Sequence, residues 1–344
     1  MKERLSTLPP LGSREEMLHL LLSQEYGHLP EQPEKLTFET ENLYDPGFGG
    51  KAVCSRVTAR CVIRGREFSF PFLTAIPTKA GKHPFFIHIN FRPGIADYYQ
   101  PVEEILDNGF ALLSLCYNDV TRDDGDFSHG LAGILFENGC RGPEDPGKIA
   151  LWAWAAQRVM DYAQGLETLD LTCAAVCGHS RLGKTALLAA ATDERFSFAY
   201  SNESGCSGAA ISRGKEGETV EKICTAFPYW FCENYKQYMG REEAMPFDQH
   251  HLVAAIAPRK VCIGSAEQDL WASPAAEQLC CFAASPAFEL GFQCPDRPAQ
   301  AGECFFDGHI GYHLRSGDHF FSREDWQKAM QFIQIHHRKD HPHD

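Results

Sequence analysis

Three kinds of residue in this sequence could together cleave an ester: a serine on a tight bend, a histidine far downstream, and a carboxylate between them. The serine is Ser180, in Val176-Cys177-Gly178-His179-Ser180-Arg181-Leu182-Gly183-Lys184. The apolar run Leu171 to Cys177 reads as a short buried strand, and a small-residue helical run, Thr185 to Ala191, follows soon after. A serine on a strand-to-helix turn has its hydroxyl raised above the sheet. The N–H groups at the positive end of the helix then lie where an oxyanion would form. Gly178 suits a bend that a side chain would crowd. The usual spacing of such an elbow is G-x-S-x-G; here the second glycine, Gly183, comes one residue late. The plainer alternative is a serine that only caps a helix.

A serine hydroxyl is a weak nucleophile at neutral pH and needs a base, commonly a histidine held by a carboxylate. On this kind of fold the chain order is serine, acid, histidine. Of the fifteen histidines, His319 in Gly317-Asp318-His319-Phe320 has the right context. It follows the strand-like Ile310 to Arg315 and precedes the last helix. His313, inside that strand, reads as structural. Two acids compete. Asp269 follows the apolar strand Lys260 to Ser265, and Glu203 ends the strand directly after the nucleophile's helix. Either could be an ordinary loop carboxylate, and at least one should touch His319.

Arg181 follows the nucleophile, so its N–H belongs beside the developing oxyanion and its guanidinium could add charge there. Lys184, four residues after Ser180, lies about one helical turn away. Two solvated helix cations are the bland alternative. In so acidic a chain they point instead to a substrate rich in oxygen, such as a sugar or an acid. Trp271, Trp230 and Tyr229 could offer flat faces to a sugar ring, although aromatic residues more often fill cores.

The rest of the chain must position these groups. With 344 residues, 44% hydrophobic and 23% charged, one large domain with a full core is expected over residues 1–344, with 1–35 as a helical lead-in. The net charge of −14 argues against a nucleic-acid or anionic-membrane partner. No apolar stretch reaches membrane-spanning length. The N-terminal ten residues carry no apolar signal region, and the fourteen cysteines show no C-x-x-C pair or zinc spacing. These features together point to a reducing cytoplasm and to no metal or cofactor.

Residues 14 to 26 have helical periodicity with Ser13 as a cap, ended by Gly27 and Pro30. Leu36 to Pro77 alternates like successive antiparallel strands. Strands and helices then take turns: strand His83 to Asn90, helix Tyr99 to Asn108, strand Phe110 to Tyr117, and helix Lys148 to Gln164. After the elbow come strands Phe198 to Asn202 and Lys260 to Ser265, helix Ala275 to Ala284, and a last helix from Arg323 to His337. The expected class is α/β, with a mostly parallel central sheet, antiparallel N-terminal strands and helices on both faces.

Gly178-His179-Ser180-Arg181-Leu182-Gly183-Lys184 resembles the G-[CH]-S-R-x-G-K nucleophile motif of glucuronoyl esterases, carbohydrate esterase family 15. The Tyr229 to Asn234, Phe247 to Leu252, Ala257 to Arg259 and Tyr312 to Arg315 segments resemble bacterial members. The resemblance implies an α/β-hydrolase fold and hydrolysis of a (4-O-methyl-)glucuronic acid ester without a cofactor. It also implies that Ser180 is the nucleophile, His319 the base and Arg181 the oxyanion residue. Lys184 would bind uronate hydroxyls, with Trp271, Trp230 and Glu233 as further substrate contacts. The family's acid occupies either of two positions, so Glu203 and Asp269 both stay open. The implied partner is a small-molecule or oligosaccharide uronate ester. A sugar O-acetyl esterase or a non-catalytic sugar-binding relative are the alternatives; the oligomeric state is open.

Overall fold

The computed structural model describes residues 2–340. Ten strands join in one sheet: β1 (Lys35–Gly47), β2 (Ala52–Ile63), β3 (Arg66–Pro77), β4 (His83–Asn90), β5 (Ala111–Cys116), β6 (Leu169–His179), β7 (Phe198–Asn202), β8 (Lys260–Ala266), β9 (Cys304–Phe305) and β10 (Ile310–Arg315). Their order is β1-β2-β3-β5-β4-β6-β7-β8-β10-β9. The first three strands pair antiparallel, and β3 meets β5 antiparallel. From β5 through β10 every pair is parallel, and the short β9 closes the far edge antiparallel. This is the mostly parallel α/β-hydrolase sheet expected, with antiparallel strands at its beginning.

Alternation along each strand sorts side chains to two faces. In β6, Ala174 and Val176 join a core with the helices Lys148–Ala163 and Arg181–Thr192. Cys173, Ala175 and Cys177 join the opposite core, with Phe86, Phe198 and Trp326 of the last helix. Both faces are covered, so the central strands read as continuous apolar runs. Trp152 and Trp154 are fully buried and bond their indole N–H groups to Thr121 O (3.0 Å) and Glu31 O (3.1 Å). Each such side chain contributes ~2–3 kcal/mol of burial against an exposed reference.

The lead-in behaves as its sequence implies, with one change. Ser13 caps the helix Arg14–Leu21 in a reciprocal capping box with Glu16. The periodic run then widens into a π-turn, Leu22–Tyr26, before Gly27. Arg14 ties the segment down by donating to Ala191 O and Ala255 O. The helix expected from Tyr99 is only Val102–Asp107. Upstream, the Tyr99 N–H is taken by Asp97 Oδ1, and the buried Gln100 side chain bonds Ser114 Oγ and His88 Nδ1, so Pro101 opens the helix. The last helix runs on to Asp340.

Candidate active site

Ser180 sits between β6 and the Arg181–Thr192 helix with φ 57° and ψ −127°, a conformation few non-glycine residues adopt. Its N–H donates to Asn202 O (2.8 Å), and its carbonyl accepts from the N–H groups of Gly183 and Lys184 (2.9 and 3.2 Å). Both glycines of the elbow are sterically required. A Cβ on residue 178 would lie 2.2 Å from Leu182 O, and one on residue 183 would lie 2.9 Å from Ser201 Oγ and 3.2 Å from Asn202 O. The late glycine therefore marks where the helix's first turn rests against β7.

His319 lies in the loop after β10. Its Nδ1 is 2.6 Å from Asp269 Oδ2 and 3.2 Å from Glu203 Oε2. Both carboxylates thus meet one nitrogen of the ring, Nδ1. Ser180, Asp269, Glu203 and His319 line a single cavity of about 330 Å³. Burial alone would lower the His319 pKa, but hydrogen bonds and charge from Asp269 and Glu203 raise it to about 9. Burial pushes Glu203 up to about 7, against the His319 hydrogen bond and the Arg315 charge. His179 lies against His319, with ring centroids 4.4 Å apart and the planes tilted by 40°, and accepts from Asn202 Nδ2 at Nδ1 (3.1 Å). Burial first, then the charges of His319 and Arg315, hold it well below the usual histidine range, so it is neutral.

The cations have distinct surroundings. Arg181 is ion-paired through Nη1 with Asp123, while its buried Nε has no hydrogen-bond partner. The same Asp123 accepts from Trp230 Nε1 (2.6 Å) and Tyr117 OH (3.1 Å). Trp230 lines the cavity but is buried. Its ring stacks on Phe227 at 3.8 Å with the guanidinium 4.6 Å away, so it acts as a wall and not as an exposed platform. Tyr229 donates to the Asp123 carbonyl (3.1 Å), so it too serves this cluster. Lys184 is only 3% exposed, yet it lines the cavity. Its ammonium donates to Ser204 O and sits 3.9 Å from Glu218 Oε2. Trp271 is 54% exposed at the rim.

Glu233 is a correction. It is not among the residues that line the cavity; its carboxylate is held by Arg141 (3.2 Å) and Lys236 (2.6 Å). Three residues of the site were not picked out in sequence. Asp123 and Glu218 come from long loops, and Arg315, at the end of β10, grips Glu203 (2.6 Å) and Asp325 (2.8 Å). Only the acidic run around Asp123, in the loop between the short helices Tyr117–Val120 and Gly130–Leu135, could have drawn attention. Ligand atoms of His179, Glu203 and His319 lie within 4.8 Å of one another. Glu203 there is already paired with Arg315 (2.6 Å) and His319 with Asp269 (2.6 Å).

The chemistry this arrangement supports is acyl transfer: a raised hydroxyl, a carboxylate-held imidazole, and helix N–H groups with a guanidinium beside them. Comparison with known proteins agrees. A family model described as glucuronyl esterase, fungi, matches residues 60–291. The carbohydrate esterase MZ0003 of an unknown prokaryotic organism is 31% identical over 94% of this chain and 84% of its own length. The 4-O-methyl-glucuronoyl methylesterase of Hypocrea jecorina is 27% identical over 85% of this chain, which spans 59% of that protein. A solved glucuronoyl esterase from Solibacter usitatus superposes with TM-score 0.84 at 32% identity, covering 93% of this chain and 91% of the other. Sequence, fold and the serine–histidine–carboxylate geometry converge: the chain belongs to the glucuronoyl esterases, carbohydrate esterase family 15.

Proposed function

We propose that this protein is a serine esterase that hydrolyses esters of glucuronic or 4-O-methyl-glucuronic acid. The observation that carries the reading is His319 Nδ1 held by Asp269 at 2.6 Å, in the cavity that Ser180 and Lys184 also line. Ser180 Oγ attacks the ester carbonyl as His319 Nε2 takes its proton. The tetrahedral oxyanion is met by the first N–H groups of the Arg181–Thr192 helix and by Arg181. As the C–O bond breaks, His319 returns the proton to the departing alcohol, leaving a uronoyl-serine. Water, deprotonated by the same imidazole, attacks that acyl group. Collapse releases the uronate, and Ser180 recovers its proton. An ammonium has three donors; Lys184 uses one on Ser204 O, and the others suit the sugar hydroxyls.

The substrate in this reading is a soluble uronate-bearing oligosaccharide in the cytoplasm. The buried Cys177, Cys262, Cys280 and Cys281 are thiols, which suits a reducing compartment. Ser180→Ala should lower kcat on methyl or benzyl glucuronate by on the order of 10⁴–10⁶-fold, with the unfolding temperature close to that of the parent. Retained turnover in that variant overturns the proposal. Preference for acetylated xylo-oligosaccharides over methyl glucuronate would replace it with an acetyl esterase.

A further inference from the structure

Three metal-binding side chains meet at the other end of β6 from the elbow. Asp170 and Cys173 stand near the start of that strand, and His337 stands in the last turn of the helix Arg323–Asp340. Their ligand atoms all lie within 4.8 Å of one another, and Cys173 Sγ is 3.1 Å from His337 Nδ1. Cys173 is buried on the face of β6 that packs on this helix, while Asp170 and His337 are half-buried. The thiol is shielded, and the other two donors are partly open to water.

In a regular strand, residues three apart point to opposite faces. Here β6 is not regular. Its pairing with β4 runs from His83 with Leu169 to Phe85 with Ala174, two steps along one strand against five along the other. The chain bulges between those pairs, and the bulge brings the Asp170 carboxylate round to the side of Cys173. Asp170 Oδ1 accepts the Thr172 N–H (3.0 Å) and hydroxyl (2.7 Å), which fixes its direction. That uses two of the roughly four acceptor sites of a carboxylate. Lys339, close to His337 in sequence, is paired with Asp307 (3.8 Å). The C-terminal end of a helix also favours a cation.

A thiolate, an imidazole and a carboxylate oxygen are together a donor set for zinc. With Zn–S near 2.3 Å and Zn–N near 2.0–2.1 Å, a tetrahedral ion holds sulfur and nitrogen about 3.5 Å apart. The pair seen here needs to open by only a few tenths of an ångström. We propose that Asp170, Cys173 and His337 form a binding site for one Zn²⁺, with water as the fourth ligand. On binding, the Cys173 thiol releases its proton to solvent, and the thiolate, Nδ1 of neutral His337 and a carboxylate oxygen donate lone pairs to the ion. The ion staples the beginning of β6 to the end of the last helix. The opposite ends of these two elements lead to Ser180 and to the loop of His319, so the staple ties together the carriers of the nucleophile and the base. Two of the ligands are three residues apart and the third is far downstream, which is no zinc spacing in sequence; the fold creates the set. The inference does not depend on the esterase reading.

The test adds Zn²⁺ to the metal-free protein, and separately Co²⁺ as a spectroscopic stand-in. One Zn²⁺ per chain should survive dialysis and raise Tm by about 2–4 °C at saturation. Co²⁺ should give a thiolate-to-metal charge-transfer band. Cys173→Ala and His337→Ala should each abolish the band and the shift in Tm, and Asp170→Asn should weaken zinc binding by about tenfold. His337 is half-buried near the end of the helix, so that variant carries the test if Cys173→Ala fails to fold. A parent that retains no zinc overturns the site, as does a charge-transfer band that survives His337→Ala, or an affinity unchanged by Asp170→Asn. Zinc held instead by His179, Glu203 and His319 would give no thiolate band and would persist in all three variants, which also overturns it.

Discussion

Asp269, in the loop after β8, and Glu203, directly after β7, approach one nitrogen of His319 and are held in different ways. Asp269 makes the shorter contact, 2.6 Å, and its other oxygen accepts the Ala272 N–H (3.1 Å). Glu203 is 3.2 Å from the ring, and its φ is +48°. Its oxygens are engaged elsewhere, by Arg315 Nη2 (2.6 Å) and by the Phe320 N–H (2.9 Å). The difference divides the labour of the two carboxylates. In the esterase reading proposed above, Asp269 is the carboxylate that orients the imidazole and stabilises its protonated form. Glu203 chiefly joins β7 to the loop that carries the base. Having a carboxylate at both positions is therefore no redundancy.

The largest expected effect breaks the comparison directly. Asp269→Asn should lower kcat by about 10³–10⁴-fold, the scale on which an imidazole loses its orienting anion. Glu203→Gln should cost only about tenfold in kcat but destabilise the fold by roughly 3 kcal/mol, because the buried Arg315 loses a charged partner. Steady-state kinetics and denaturant unfolding on both variants check this. Equal losses of kcat, or the reverse order, would refute the division.

Asp123 sharpens the picture, because there a carboxylate serves a cation and not the base. Asp123→Asn keeps the shape but weakens the grip on Arg181. It should lower kcat by about tenfold with KM little changed, since the guanidinium acts where charge develops in the transition state. A rise in KM with kcat intact would assign Asp123 to substrate binding instead.

The smallest expected effect is a displacement along the pH axis. The base must be neutral, and its pKa in the resting enzyme is raised to about 9 by the two carboxylates. The acid limb of kcat/KM should therefore lie above the ordinary histidine value of ~6.5. Asp269→Asn should shift it down, and by more than Glu203→Gln does. Because the folded pKa exceeds the unfolded one, His319 stabilises the fold fully below ~6.5 and loses that contribution as pH rises through about 9. An acid limb at the same pH in parent and variants would contradict the geometry.

The parts of this site legible in the sequence were those packed into a short stretch with a distinctive order. Ser180, Arg181, Lys184 and the small-residue helix share one strand–turn–helix unit, and His319 sits where that unit predicts a base. The acids stayed ambiguous because Glu203 and Asp269 follow neighbouring parallel strands, and nothing local says which side chain reaches further. Asp123 and Glu218 were invisible for a related reason: Asp123 reaches Arg181, and Glu218 the cavity, by loops whose paths are set by tertiary contacts. Glu233 misled because it is three residues from the cavity wall at Trp230, while Arg141 and Lys236 hold its carboxylate elsewhere. In the fold, the parallel strands followed from their apolar runs. Short helices such as Val220–Ala226 carry too few turns to show a period.

The backbone at Phe320 is gripped from both sides. Its N–H meets Glu203, while its carbonyl accepts from Asn202 Nδ2 (3.1 Å) and Arg315. The residue next to the general base is thereby anchored to two strands of the sheet before any substrate arrives. Recognition has no need to drag the imidazole into line, and the ordering entropy of that segment is met during folding instead of in each catalytic cycle. In the proposed reaction, the departing alcohol meets a proton donor that the fold has already set in place.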